Sequence, residues 1–393
     1  MGRTIEAITA ECEAIGCDMR FSRAVGWKQE GPGRFLAAYL PIYAPREIFH
    51  AMGGLAVGIM GTGDRMQIIK GDAFYQSYIC HIPRGVVELA SGGYLDPFDA
   101  FLFPSICDVI RNLSGIFQLI QAGKYIKYID YPQNFTPDVG GAFYRREIES
   151  IITGIRSKTA APFPSTEHLN TAISLYNENR NLIEQIVTLR QEFPWRLSAV
   201  DWYHVMRGGL AMPVEEHNAM LRELYELLQT ERGQPMDNIR VVISGAFCEQ
   251  PPIGLIKTIE MAGCYIVDDD FFQGSRWIEG DVDDDTDDPI GALVDAYLHR
   301  STFSSSVYDA DNPKGVRLLR LIRRRGADGV IFAAPGFCDP ALLDRPELQK
   351  ELERAGIRTI AFQYTENTGQ FKVIKEQVGA FSDSIKLWEI VES

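Results

Sequence analysis

Three cysteines in this chain stand where an apolar, strand-like run gives way to a helix. Cys107 follows Phe101-Leu-Phe-Pro104 and opens the helical stretch Asp108-Val-Ile-Arg-Asn-Leu113. Cys338 follows Val330-Ile-Phe-Ala-Ala334 and precedes a helix beginning near Pro340. Cys80, in Tyr78-Ile-Cys-His-Ile-Pro-Arg-Gly85, lies just ahead of a helix or within its first turn. In open α/β sheets, ligands collect at the carboxyl ends of strands, and the helix N-termini there favour thiolate over thiol. Three thiolates meeting between two such sheets suit an iron–sulfur cluster with one iron left open. The competing reading is packing, because free cysteine is among the most buried residue types and behaves as a small hydrophobe.

The chain has seven cysteines and no CxxC pair, so zinc ribbons, ferredoxin-type runs and thioredoxin chemistry have no local support. Any joint action must gather distant residues. Cys248, in Gly245-Ala-Phe-Cys-Glu-Gln-Pro-Pro252, occupies another strand-to-helix loop and either lines the same site or adds a ligand to it. Cys12 and Cys17 fall in an N-terminal helix and Cys264 in a strand, and all three read as inert packing.

The elements that would position these thiols come in two similar blocks. Residues 1–30 are helical, with Ile5, Ile8, Cys12 and Ile15 at helical intervals. Strands over 35–43, 55–60, 100–104 and 125–130 alternate with helices around 44–52, 76–91 and 106–122, which predicts a parallel sheet covered by helices over 31–140. Residues 141–235 form a mainly helical region. The α/β rhythm returns over 236–393, with strands at 240–245, 264–268, 329–334 and 358–363. The expected fold is α/β: two parallel-sheet domains joined by helices. Neither domain carries a GxGxxG turn; Gly58-Ile-Met-Gly-Thr-Gly63 matches it only in part, so no nucleotide site is expected.

Composition narrows the function. Lys+Arg total 39 against 53 Asp+Glu, a net charge of −14, whereas nucleic-acid binding needs a concentrated positive surface. No apolar run approaches the roughly 20 residues of a membrane span, and the first residues lack secretory and myristoylation patterns. A cytoplasmic protein with no nucleic-acid or membrane partner is expected. The acidic runs 268–270 and 281–288 offer oxygen ligands, but the second lacks the EF-hand's glycine and terminal glutamate and reads as a solvated loop or helix start. Arg323-Arg-Arg325 reads as compensation of a helix dipole.

The segments Tyr78-Ile-Cys-His81, Phe103-Pro-Ser-Ile-Cys-Asp-Val-Ile-Arg-Asn112, Cys248-Glu-Gln-Pro-Pro252 and Gly336-Phe-Cys-Asp-Pro340 resemble the 2-hydroxyacyl-CoA dehydratase and benzoyl-CoA reductase family. Pro41-Ile-Tyr-Ala-Pro-Arg-Glu-Ile-Phe-His50 and Ala172-Ile-Ser-Leu-Tyr-Asn-Glu-Asn-Arg180 extend the likeness over most of the chain. Within the family it looks most like the gamma (C-type) subunits of the ATP-dependent, class I reductases. That resemblance implies two flavodoxin-like (Rossmann-like) domains and a 4Fe–4S cluster on Cys80, Cys107 and Cys338, Cys248 being a departure from the three-ligand set. It also implies a homologous cluster-binding partner, ATP-hydrolysing activator-type subunits, ferredoxin as electron donor and benzoyl-CoA as substrate.

Around the cysteines, each neighbour carries two readings. His81 either delivers a proton, or hydrogen-bonds to cluster sulfur, or simply contacts backbone at a helix N-terminus. Arg84 and Arg111 follow a candidate ligand by one helical turn, and either offset cluster charge near the substrate or form surface ion pairs. Glu249 and Gln250 lie in a loop expected to face the crevice, Glu249 as a catalytic group and Gln250 orienting substrate. The same resemblance admits a dehydratase subunit performing radical dehydration, or a non-catalytic electron-transfer or scaffold subunit; a metal-free α/β protein is the remaining reading.

Overall fold

The computed structural model describes residues 3–63, 65–245, 251–270, 277–302, 308–311, 313–365 and 368–392. The chain opens with two helices, α1 (Ile5–Gly16) and α2 (Ser22–Gln29), rather than one continuous helical segment. The break has a local cause. The Asp18 carboxylate accepts from the backbone N–H groups of Arg20 at 2.8 Å and Ser22 at 2.7 Å, and Phe21 takes a left-handed φ of 52°.

The first block runs β1 (Phe35–Tyr39), α3 (Arg46–Ala51), β2 (Gly54–Gly58), α4 (His81–Ser91), β3 (Ala100–Pro104), α5 (Asp108–Ile120) and β4 (Tyr125–Ile129). Four helices follow: α6 (Ala142–Lys158), α7 (Thr166–Glu192), α8 (Ala199–Gly209) and α9 (Val214–Thr230). The second block comprises β5 (Ile239–Ser244), α10 (Ile253–Met261), β6 (Cys264–Asp269), α11 (Pro289–Arg300), α12 (Lys314–Arg325), β7 (Gly329–Pro335), α13 (Asp339–Arg354), β8 (Arg358–Tyr364) and α14 (Phe371–Glu392). The sheets have the orders β2-β1-β3-β4 and β6-β5-β7-β8, with every pair parallel. This is one flavodoxin-like arrangement built twice. In each sheet the order reverses between its first and third strands in sequence, the place where open α/β sheets form a ligand crevice.

Strands β1, β2, β3 and β7 are buried along their whole length, as expected where both faces of a sheet are covered. Val241 and Ile243 of β5 pack with Ile331 and Ala333 on one face, while Val242 joins Val330 and Phe332 on the other. That is the two-residue period of a pleated strand.

Helix α7 links the two cores. It has 27 residues, so it is about 40 Å long at 1.5 Å per residue. Leu169, Ala172 and Ile173 enter the core of the first sheet, and Leu182, Ile183, Ile186 and Val187 enter that of the second. Two elements pack away from their sequence neighbours: Ile8 and Cys12 of α1 join the second core, and Leu293, Ala296 and Tyr297 of α11 join the first.

The charged runs resolve into specific structure. Asp288 caps α11 by accepting from Gly291 N–H at 3.1 Å, in keeping with a helix start. Arg325 departs from the dipole expectation: Arg323 and Arg324 are exposed, but Arg325 is buried and pairs with Asp268, which ends up facing an internal cation. No helix among the described residues is long and apolar enough to cross a membrane.

Candidate metal centre

Cys80, Cys107 and Cys338 each occupy the residue immediately before a helix, capping α4, α5 and α13 respectively. Cys107 follows β3 and Cys338 follows β7, so the two occupy equivalent places in the repeated sheets. All three are half-buried, and no disulfide forms among the described cysteines. The expected helix over 76–91 begins only at His81, leaving Cys80 at its mouth.

The described residues of the connection that delivers Cys80, 59–63 and 65–80, are tied to α4 at several points. Gly61 takes a φ of +79°, and a side chain there would meet the Ile82 carbonyl at 3.3 Å. A Cβ on Gly85 would stand 2.9 Å from the Thr62 nitrogen. Gly61 and Gly85 thus let backbone cross closely over the first turns of α4. Further along, the Glu88 carboxylate accepts from Ile69 N–H at 2.8 Å and Gly71 N–H at 2.9 Å. Arg84 donates to Asp72 at 2.8 Å, tying α4 to the same connection.

Charges at the three helix N-termini act on shared groups. Burial raises the pKa of the Tyr75 hydroxyl, and charge on Cys80 and on Cys107 raises it further. That hydroxyl is buried and has no hydrogen-bond partner among the described residues. Burial also raises the Cys107 thiol, the N–H groups of Ile110 and Val109 pull it part of the way back, and the Asp108 and Asp339 carboxylates add to the rise. Asp339 directly follows Cys338, so the head of α13 lies within electrostatic reach of the head of α5. On the third side, Cys338 N–H donates to the Pro335 carbonyl at 3.1 Å, closing a turn in which Phe337 has a left-handed φ of 65°. Such a conformation costs a non-glycine residue about 1–2 kcal/mol. The Phe337 ring is nonetheless exposed.

A model of the 2-hydroxyglutaryl-CoA dehydratase, D-component family matches residues 41–385. The chain belongs to that family. It is 48% identical over 382 residues to the C-type subunit of benzoyl-CoA reductase from Thauera aromatica, covering 97% of this chain and 98% of that protein. It is 27% identical to the beta subunit of lactoyl-CoA dehydratase from Anaerotignum propionicum, over 97% and 99% of the two chains. To the beta subunit of (R)-2-hydroxyglutaryl-CoA dehydratase from Acidaminococcus fermentans it is 25% identical, over 97% and 100%.

In this dehydratase-family chain the remaining candidates are placed unevenly. His81 is the first residue of α4 and is buried. Arg111 lies exposed on α5 with its guanidinium 5.4 Å from the centre of the Tyr128 ring. Cys248, Glu249 and Gln250 lie outside the described residues. Sequence reasoning passed over Tyr75 and Phe337. Tyr75 precedes Cys80 by five residues in an irregular stretch with no periodicity to mark it, and Phe337 sits where a turn of this kind prefers glycine.

The donor set suits a cluster. Three half-buried thiols at three helix N-termini provide anionic ligands with nearby N–H groups, and the Tyr75 hydroxyl is a buried donor awaiting an acceptor. A cluster attaches each cysteine to a different iron, so its ligands stand further apart than those of a single ion. The one described group with three donor atoms within 4.8 Å of one another, a single-ion spacing, is a different set: Glu13, Cys17 and His204.

Proposed function

We propose that this chain is the iron–sulfur subunit of an ATP-dependent benzoyl-CoA reductase. The enzyme adds two electrons and two protons to the aromatic ring of benzoyl-CoA, giving a cyclohexadienoyl-CoA. One observation carries this reading: three cysteines cap three helices, with the charges of two of them, Cys80 and Cys107, felt by the buried Tyr75 hydroxyl, in a chain 48% identical to a benzoyl-CoA reductase subunit. A 4Fe–4S cluster, when bound, supplies single electrons at low potential. Cys80, Cys107 and Cys338 would hold it, with Cys248 a candidate additional ligand.

The chain's own residues then manage charge, protons and water. The first electron breaks ring aromaticity, and the thioester carbonyl eases that step by spreading the radical anion. The Tyr75 hydroxyl would donate a hydrogen bond toward the cluster sulfurs. His81, buried at the head of α4, and Glu249 hold protons for the ring. Arg84, Arg111 and Gln250 orient the thioester and offset negative charge. Water must be kept from the site, where it would divert low-potential electrons to protons. A homologous cluster-binding subunit, ATP-hydrolysing subunits and ferredoxin complete the system, in the cytoplasm.

The test is iron and sulfide analysis of the complex purified without oxygen, with Cys107→Ser and Cys338→Ser beside the parent. Each variant should lose most of this subunit's cluster and the benzoyl-CoA-dependent oxidation of ferredoxin; unchanged iron in both would end the proposal. The likeness to dehydratase beta subunits favours a second reading, a radical dehydratase on the same scaffold. ATP stoichiometry separates them, because a dehydratase needs ATP only to start and a reductase consumes it at every turnover.

A further inference from the structure

Glu13 near the end of α1, Cys17 at its C-cap and His204 on α8 bring a carboxylate, a sulfur and an imidazole nitrogen within 4.8 Å of one another. His204 is the informative member. Its side chain is 6% exposed, and Nε2 stands 3.8 Å from Glu13 Oε1, beyond hydrogen-bond range. Its Nδ1 is buried without a hydrogen-bond partner among the described residues. A neutral imidazole has a lone pair to give to a metal.

The spacing comes from packing. A Cβ on Gly208 would stand 2.9 Å from Cys12, and one on Gly16 would stand 3.0 Å from the Arg207 side chain and the Gly208 backbone. Helices α1 and α8 thus meet at glycines, and the three donors face one another across that seam. Ligands 2.0–2.3 Å from a tetrahedral zinc stand roughly 3.3–3.8 Å apart, so the group needs to close by about an ångström to share one ion.

The geometry points to a single-ion site for a divalent, zinc-class metal held by Glu13, Cys17 and His204, with a fourth position open to water. A thiolate, an imidazole and a carboxylate select zinc, cobalt or ferrous iron over magnesium or calcium. Binding displaces the Cys17 thiol proton to solvent as the metal–sulfur bond forms. The ion fastens the N-terminal helix to α8, and the site is independent of the cysteines that cap α4, α5 and α13. Cys17, which reads as inert packing in the sequence, becomes a ligand.

Cobalt(II) and zinc(II) are the probes, added without oxygen to the full chain in its purified complex after brief chelation and desalting. The expected result is about one zinc per chain in addition to the iron. Cobalt should give thiolate-to-metal charge-transfer absorption together with intense tetrahedral visible bands. Cys17→Ser should abolish the charge-transfer band. Glu13→Gln, at a half-exposed position where folding is not at stake, should weaken metal binding at least about tenfold, the loss seen even for outer-shell changes. Cys107→Ser should leave the signal intact. Absence of cobalt absorption in the parent, or a signal that survives Cys17→Ser and Glu13→Gln but vanishes in Cys107→Ser, would overturn the assignment.

Discussion

Arg325 donates from Nε to the Asp268 carboxylate at 2.6 Å, with both side chains 1% exposed. A second guanidinium nitrogen reaches Glu184 at 2.9 Å, so α12, β6 and α7 meet at one buried charge. Removing one partner of a buried pair strands the other in a low-dielectric interior, at a cost of about 3–5 kcal/mol. Arg325→Met and Asp268→Asn should each lose stability on that scale in urea denaturation. The double variant should lose less than the sum, and strictly additive losses would show that the two residues are not coupled.

Tyr75→Phe separates fold from redox tuning. The hydroxyl has no partner among the described residues, so its removal should leave stability unchanged or improve it by up to about 1 kcal/mol. A donor near cluster sulfur stabilises the reduced, more negative state, and its loss should move the midpoint potential downward. Electron paramagnetic resonance during a redox titration reads this directly. An unmoved potential at full iron content would remove Tyr75 from the site.

Phe337 keeps an exposed ring at a left-handed φ of 65°. Phe337→Gly should raise folding stability by up to about 1 kcal/mol, since the relief of strain is partly offset by a freer unfolded chain. Phe337→Ala should gain nothing, because alanine meets the same backbone penalty. Comparing the two melting curves decides whether strain is present; equal behaviour argues against it.

His217 makes stability depend on pH. Burial, reinforced by the Arg46 charge, lowers its pKa from 6.5 to about 4, and Asn179 Nδ2 lies 3.0 Å from its Nδ1. Between those values the unfolded chain takes up a proton that the folded ring refuses. Stability therefore falls as pH drops from about 6.5 toward 4, by at most about 3 kcal/mol, and this contribution is flat above that window. Denaturation midpoints at pH 7.5, 6 and 5 should show the decline, and His217→Gln should flatten it. A variant with the parent's slope would place the titration elsewhere.

Much of this molecule was legible in its residues. Strand and helix periods are local, which is why the apolar runs from Phe35, Ala100, Val330 and Arg358 fall on β1, β3, β7 and β8, and why Cys107 and Cys338 stand at strand-to-helix turns in both readings. Helix starts were less so: α4 begins at His81, and the stretch before it is tied at Ile69, Gly71 and Asp72 to Glu88 and Arg84, residues that lie beyond it in the chain.

Sequence by itself determined the two parallel sheets, the family likeness and the residue types at the heads of the helices, because each depends on neighbours a few positions apart. Only the tertiary structure decided that α1 packs into the second core and α11 into the first, and that Arg325 is internal. It also decided that Tyr75 feels the charges of Cys80 and Cys107, and that Glu13 and Cys17 face His204. Those outcomes turn on burial and on contacts between residues far apart in the chain, where desolvation and close packing, rather than local propensity, set the energy.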